Sequence, residues 1–506
     1  MDSERNEKNQ PRLSIAKGPR IRGDLLNKGN LARILIDAAD QGSDRGIVFI
    51  QNDDSEVFYS YKTILTRAEK VLGSLQDYGL KPGDHALLIL SNNADFIVTF
   101  WACILGGIVP VPLPYPVLTS AQHASVKRLL SVWNILNHPV ILSDATIWSM
   151  RDVIKATLNV NRINVLDVCS LQQNATPGRI NLTGPDATAF IQFSSGSTSD
   201  PKGVILSHSN LLTNIEAIID QTEFSSKDMF LSWMPYFHDM GLIGFNLCPT
   251  TVNANQINIT PQDFVKKPYL WFDLISRNKI TIACSPNFGY RNLLDGAKEH
   301  PLAQWDLSSL RLIFNGAEPI STLLMRQFMD TFSICGLKRT AMYPVYGLAE
   351  ATLAVAFPTP GTDPVVHTVV RSELVTKGNV RKAPTGIVGS LQVADEGYPV
   401  PEIEIRIADQ EDHVLPEGTV GEIQIRGKSV TSGYINNPKA TADCFVDGWF
   451  KTGDLGFMIE GRVSVTGRIK DIIFVNGQNF FAHDIEEVIE QVGGIRAGRF
   501  AVCGWT

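Results

Sequence analysis

Between Gln192 and Val204 the chain reads Gln-Phe-Ser-Ser-Gly-Ser-Thr-Ser-Asp-Pro-Lys-Gly-Val. Glycines let backbone N–H groups turn inward around an anion, hydroxyls add donors, and Lys202 brings a point charge. Those are the parts of a polyphosphate cradle. A Walker loop is excluded, because it needs Gly-Lys-Ser/Thr opening a helix, whereas Lys202-Gly203 leads into an apolar stretch. Composition alone also allows a plain Ser/Gly linker. The run is set, however, between Ala187 to Phe193 and Gly203 to Leu206, and both read as short buried strands. Ser207 to Asn210 then offers helix N-cap residues.

Other residues able to do chemistry follow. Ser232 to Gly244 mixes aromatics with one histidine, His238, placed after Tyr236-Phe237 and before Asp239. A lone histidine is more often structural than catalytic, so this stretch reads as a pocket lining or as core. Ile280 to Cys284, Leu310 to Phe314 and Thr340 to Val345 read as strands. They run into Ser285-Pro-Asn-Phe-Gly-Tyr290, Asn315-Gly-Ala-Glu-Pro319 and Tyr346-Gly-Leu-Ala-Glu350. Open α/β sheets bind ligands beyond their strand C-termini, so this convergence marks a site. Gly316-Ala317 would let a flat base approach the backbone, Tyr346 could stack on it, and Glu350 offers the carboxylate oxygen that Mg²⁺ prefers. The plainer alternative makes Tyr346 a core aromatic and Glu350 a solvated one. Asp454 falls in a glycine-flanked loop, where a carboxylate could take two ribose hydroxyls or simply close a turn.

The elements that must hold these residues read as α/β. Leu65, Ala68, Leu72 and Leu75 recur at helical spacing before Gly79, and Pro82-Gly83-Asp84 turns the chain into the apolar strand His85 to Leu90. A helix from Ala94 to Leu105 and a strand from Ile108 to Val111 complete a βαβ-like unit, and the pattern continues through Pro139 to Leu142, Asn164-Val165 and Ala187. The central sheets should be mainly parallel. Phe96 to Leu113 carries no charge, but Gly106-Gly107 and a run of prolines interrupt it, which favours a buried helix and strand over a membrane span. Residues 358 to 401 look loose, with little helical periodicity. From about 401 to 467 the alternation and the Glu460-Gly461 turn predict a smaller β-rich subdomain.

With 506 residues, 44% of them hydrophobic and 19% charged, the chain can bury a large core. A net charge of -7 argues against nucleic-acid or anionic-membrane binding. Seven scattered cysteines without a C-x-x-C pair suggest reduced thiols in a cytoplasmic protein, with no disulfide frame or zinc site. Met1 to Asn30 is polar, lacks a secretory h-region, and reads as a mobile lead-in.

Taken together, these motifs resemble the adenylate-forming superfamily of acyl-CoA synthetases, peptide-synthetase adenylation domains and luciferases, from about Leu31 to Thr506. His238 to Gly244, Ser285 to Tyr290 and Tyr346 to Thr352 look like those of fatty acyl-AMP ligases, a subgroup that also shares Ala349 in place of a phosphate-contacting threonine. The resemblance implies an N-terminal adenylation domain over 31–467, made of two parallel-rich α/β subdomains and the β-rich one. It places at 358–400 an insertion associated with poor use of coenzyme A, and at 468–506 the start of an α+β C-terminal domain. No lysine follows Lys470, although the family carries a late catalytic one, and the chain stops after an apparent strand from Arg499 to Val502. That suggests a truncated C-terminal domain and impaired adenylation.

By the same resemblance, Ser194, Ser195, Gly196, Ser197, Thr198 and Lys202 should hold the ATP phosphates. Gly316, Ala317, Glu318, Tyr346 and Gly347 should frame the adenine, with Asp454 and Arg468 at the ribose. Glu350, with Thr198, should bind Mg²⁺, and His238 should sit near the reacting carboxylate and the α-phosphate. Met234, Met240, Asn287, Phe288 and Tyr290 are the implied acyl-pocket wall, and Lys470 the hinge. The implied reaction forms an acyl-adenylate from fatty acid and ATP, then passes the acyl group to the phosphopantetheine thiol of an acyl carrier protein, feeding lipid, polyketide or lipopeptide synthesis. The rivals are a fatty acyl-CoA ligase, an amino-acid adenylation domain (disfavoured because Tyr236 to Asp239 lacks that group's Phe-Asp pattern) and a non-catalytic nucleotide or lipid sensor on the same fold.

Overall fold

The computed structural model describes residues 12–42, 44–51, 53–116, 124–149, 151–157, 163–173, 176–193, 201–384, 386–475, 478–489, 492 and 500–503. Among them the strands form two parallel-rich sheets, one six-stranded antiparallel sheet and four small antiparallel sheets of two or three strands. The larger parallel sheet runs Met342–Pro344, Leu312–Asn315, Ile282–Ser285, Met229–Ser232, Asn255–Asn258, Gly46–Ile50 and Glu56–Ser60, and only the last pair is antiparallel. Four parallel strands, Val109–Pro112, His85–Ile89, Val140–Ser143 and Val165–Asp167, make the second sheet. These strands read as continuous apolar runs because helices cover both of their faces.

Local chemistry sets the helix ends, at Gly79 as expected. Tyr61–Tyr78 starts at Ser60, whose hydroxyl accepts from Thr63 N, and stops at Gly79 with φ +105°. The charge-free stretch becomes the helix Asn93–Gly106, almost wholly buried, followed by the strand Val109–Pro112. No helix among the described residues is long and apolar enough to cross a membrane.

The β-rich part is an antiparallel sheet in the order Ile15–Lys17, Ile403–Ala408, Gly421–Gly427, Trp449–Ile459 and Phe445–Val446, with Arg462–Arg468 also paired to Trp449–Ile459. The turn between those last two long strands is Glu460-Gly461, both at positive φ.

Four expectations are corrected. From residue 12 on, the N-terminal stretch is no mobile lead-in: Ile15–Lys17 is an edge strand, and the buried Glu216 carboxylate accepts from the backbone N–H groups of Gly23, Asp24 and Leu25. The region after Pro358 is not loose either. It holds the hairpin Val366–Val370 with Ser390–Ala394 and the helix Arg371–Lys377, closed by a small core of Val369, Leu374, Val393 and Phe457. Its apolar residues are few and face one long-range partner, Phe457, so periodicity does not reveal it. Asp454 lies within the strand Trp449–Ile459 rather than in a loop, at a bulge that Gly453 opens with φ +73°. Finally, residues 500–503 carry no strand. The expected Arg499 lies outside the described residues.

Candidate active site

The strands Ile282–Ser285, Leu312–Asn315 and Met342–Pro344 are direct neighbours, in a register that sets Ser285 beside Asn315 and Asn315 beside Pro344. Their C-terminal ends therefore share one sheet edge, next to which opens a cavity of about 560 Å³. One end of its wall is polar, with Lys202, His238, Glu350, Tyr434, Arg468 and Lys470. The other is apolar.

At the polar end, Gly316 is required by crowding: a Cβ there would lie 2.8 Å from Cγ2 and 2.9 Å from the carbonyl oxygen of Val345. Ala317 follows on the cavity wall with φ +72°, a left-handed conformation that non-glycine residues adopt only under constraint and that clusters at functional sites. The turn it makes leaves Glu318 on the surface, accepting from Phe288 N and outside the cavity wall, so Glu318 does not frame the site as expected. Tyr346 and Gly347 do line it.

The phenol of Tyr346 donates to Oδ2 of Asp454 at 2.7 Å, and Nε of Arg468 donates to Oδ1 at 2.9 Å. Asp454 and Arg468 are cross-strand partners. Burial raises the Asp454 carboxyl above its ordinary range, and the Arg468 charge and the Tyr346 hydroxyl pull it back.

Glu350 sits on a short turn, Ala349–Ala351, and its Oε1 accepts from the Tyr434 hydroxyl at 2.8 Å. The Lys202 ammonium lies 4.8 Å from the centroid of the Tyr434 ring, a cation–π distance. Tyr434 reaches this place because its segment runs along the strand Gly203–Ser207. Ile435 N donates to Gly203 O, Ile205 N donates to Gly433 O, and Thr431 N donates to Glu350 O at 2.7 Å. Burial raises the Glu350 carboxyl, and the phenol's hydrogen bond opposes that.

His238 precedes the π-helical run Met240–Leu247, a geometry frequent at functional sites. Its Nδ1 lies 2.7 Å from Oδ1 of Asp239, which also accepts from Met240 N. Burial presses the imidazolium down, but the Asp239 charge and hydrogen bond prevail and raise it. Gln192 Nε2 donates to the carbonyl of Phe237 at 2.6 Å and so fixes the backbone just ahead of His238.

The apolar arm is built from residues that periodicity never singled out. Phe314 lies 6.0, 5.7 and 5.8 Å, centroid to centroid, from Phe224, Phe245 and Phe357, and all four line the cavity with Ile218 and Leu353. Of the expected acyl wall only Met240 faces the cavity. Met234 is core, Asn287 is spent on Pro319 O and Ser321 N, and the exposed Phe288 packs edge-on against Trp233. Tyr290 is fully buried, with its hydroxyl on Phe314 O. Helix geometry explains Tyr290: Asn287–Ala297 turns it toward Phe328 of the helix Thr322–Phe332 and toward the strand Leu312–Asn315 instead of the cavity.

Ser194, Ser195, Gly196, Ser197 and Thr198 lie outside the described residues. Their flanks do not: Phe193 and Lys202 end the antiparallel hairpin Thr188–Phe193 with Gly203–Ser207 and line the cavity. Sequence reasoning missed Tyr434 and the aromatic arm.

A model of the AMP-binding enzyme family matches residues 36–435. A 4-hydroxyphenylalkanoate adenylyltransferase from Mycobacterium tuberculosis is 30% identical over 501 residues, covering 94% of this chain and 80% of the relative. A long-chain-fatty-acid–AMP ligase from Mycobacterium marinum is 31% identical over 466 residues, covering 88% and 78%. Among solved structures, one from a study of fatty acyl-adenylate ligases from E. coli and L. pneumophila superposes with a TM-score of 0.85 at 31% identity, covering 94% of this chain and 84% of that one.

Proposed function

The chain belongs to the AMP-binding enzyme family of adenylate-forming enzymes, and from that premise we propose that it activates a fatty acid as its acyl-adenylate and passes the acyl group to a carrier protein. The observation that carries this reading is the continuity of one cavity from the charged end around Lys202, Glu350 and Arg468 to an arm walled by four phenylalanines.

In this reading Lys202 and the Ser194 to Thr198 loop hold the ATP phosphates. Gly316, Ala317, Tyr346 and Gly347 bound the adenine, while Asp454 and Arg468 hold the ribose. The apolar arm takes the alkyl chain, which places the carboxylate at the polar end, near His238. Carboxylate oxygen attacks the α-phosphorus, the bond to the β-phosphate bridging oxygen breaks, and pyrophosphate leaves with the electron pair. Such a step asks the protein for positioning and charge stabilisation rather than for a nucleophile.

Glu350 fits Mg²⁺, which typically binds through one or two carboxylates plus substrate phosphates; Thr198 is its second candidate. When bound, the ion neutralises phosphate charge. Tyr434 orients the Glu350 carboxylate.

Transfer follows when the thiol of a carrier-borne phosphopantetheine attacks the acyl carbonyl and AMP departs. The helix Arg371–Lys377 within 358–400 lies against the strand Gln478–Phe481, which supports an insertion that restrains the part of the chain after the Lys470 hinge and disfavours coenzyme A. The seven cysteines are free, as a reducing cytoplasm would keep them.

The test is mass spectrometry of products from ATP, Mg²⁺, a series of fatty acids and a 4-hydroxyphenylalkanoic acid, with coenzyme A or a phosphopantetheinylated carrier protein as acceptor. Acyl-AMP and acyl-carrier with little acyl-CoA are expected. Abundant acyl-CoA would overturn the choice of acceptor, and turnover of the aryl acid alone would overturn that of substrate.

A further inference from the structure

A second cavity, of about 260 Å³, lies behind Lys202. Ser131 and Asn134 face it from one side, Asn436 and Asn437 from another, and Lys202 lines both cavities. Three residues before Ser131, Arg128 lines the main cavity. Arg128, Ser131 and Asn134 therefore follow one another along one face of the helix Ala124–Ile135, leading from the first cavity to the second. Nη2 of Arg128 donates to the carbonyl of Phe193 at 3.3 Å, at the foot of the Ser194 to Thr198 loop.

We propose that Arg128 acts with Lys202 as a binding site for pyrophosphate, and that the second cavity is the passage by which pyrophosphate leaves. This rests on the adenylation reading above. When the α-phosphorus bonds to the carboxylate oxygen, the broken P–O bond leaves its electron pair on pyrophosphate, whose charge on the departing oxygen exceeds that of the same group within ATP. A guanidinium offers a planar fork of donors to such a group, which an ammonium cannot. Burial lowers the Arg128 pKa, so the guanidinium gains when an anion arrives. Beyond the two cations the wall carries no charge: Ser131, Asn134, Asn436 and Asn437 supply hydroxyl and amide groups among Ile135, Pro201 and Ile435, so an anion passes without being trapped. Asn134 already spends its Oδ1 on the His138 ring at 2.9 Å, leaving the amide N–H groups as its remaining polar function.

The test compares Arg128→Ala, Arg128→Lys and Ser131→Phe in the full chain. Calorimetry measures binding of pyrophosphate, of ATP, and of an acyl-sulfamoyl adenosine that has no β- or γ-phosphate. Arg128→Ala should weaken pyrophosphate and ATP by about tenfold, the scale of one charge-assisted contact, and leave the acyl-sulfamoyl adenosine unchanged, with Arg128→Lys between. Equal weakening of all three ligands would overturn the proposal, because it would mark a structural role. Ser131→Phe should slow pyrophosphate release in stopped-flow measurements while ATP binding holds, and an unchanged release rate would overturn the passage. A wild-type chain that bound neither ATP nor the acyl-sulfamoyl adenosine would overturn the adenylation reading itself.

Discussion

Tyr346 and Asp454, 108 residues apart in sequence, meet at 2.7 Å, with the phenol donating to the carboxylate. The contact joins the parallel sheet's C-terminal edge to the antiparallel sheet, and Arg468 completes it from the adjacent strand. Both carboxylate oxygens thus have partners before any ligand arrives, which fixes the carboxylate's orientation.

Asp454→Asn should weaken ATP binding by about tenfold or more, since a hydrogen bond to a charged group is worth roughly 1.5–3 kcal/mol. Isothermal calorimetry with ATP and with 2′-deoxy-ATP checks the role. The substitution should narrow the difference between the two nucleotides if the carboxylate reads the ribose.

Tyr434→Phe keeps the ring beneath Lys202 and removes the hydroxyl from Glu350. Turnover should fall by about tenfold on the same scale of energy, with little change in melting temperature. Tyr434→Ala, which also removes the ring, should cost more in ATP affinity. Equal losses for the two would mean that the hydroxyl alone matters.

Ala354 lines the apolar arm and is 1% exposed. Ala354→Leu should shorten the preferred acyl chain, and Phe245→Ala should lengthen it. Each methylene excluded or admitted is worth about 0.8 kcal/mol, or roughly fourfold in kcat/KM. A chain-length series measured by pyrophosphate release checks both.

His238 has its pKa raised by Asp239 once burial is outweighed. For a raised histidine the ion pair contributes fully below the unfolded pKa and is lost as pH rises through the folded one. Asp239→Asn should therefore move the His238 titration to lower pH, followed by NMR of the imidazole, and flatten the rise of melting temperature on mild acidification.

Glu396 is buried, accepts from Val465 N, and has its carboxyl raised well above the ordinary range by burial, with the neighbouring Asp395 charge adding to it. A raised carboxyl binds more protons folded than unfolded, so stability falls as pH rises from the unfolded pKa through the folded one. Glu396→Gln should raise the melting temperature at pH 8, and the gain should vanish on acidification. A gain that persisted at low pH would contradict the assignment.

Much of this was legible in the sequence, because it depends on local chemistry. Gly79 ends a helix through its positive φ. Short apolar runs gave many of the parallel strands, though not Gly46–Ile50, Met229–Ser232 or the polar Asn255–Asn258, and small or polar residues at three strand ends marked the edge where the cavity opens. Tertiary structure alone decided what stands around that edge. Phe224, Phe245, Phe314 and Phe357 belong to four separate segments and meet only by packing. Tyr434 comes between Lys202 and Glu350 only because its segment pairs with the strand Gly203–Ser207. Asn287 and Tyr290 carried suggestive chemistry, yet their hydrogen bonds go to Pro319 O and Phe314 O. Period and capping act over a few residues, whereas a cavity wall is a sum of long-range contacts that no local pattern encodes.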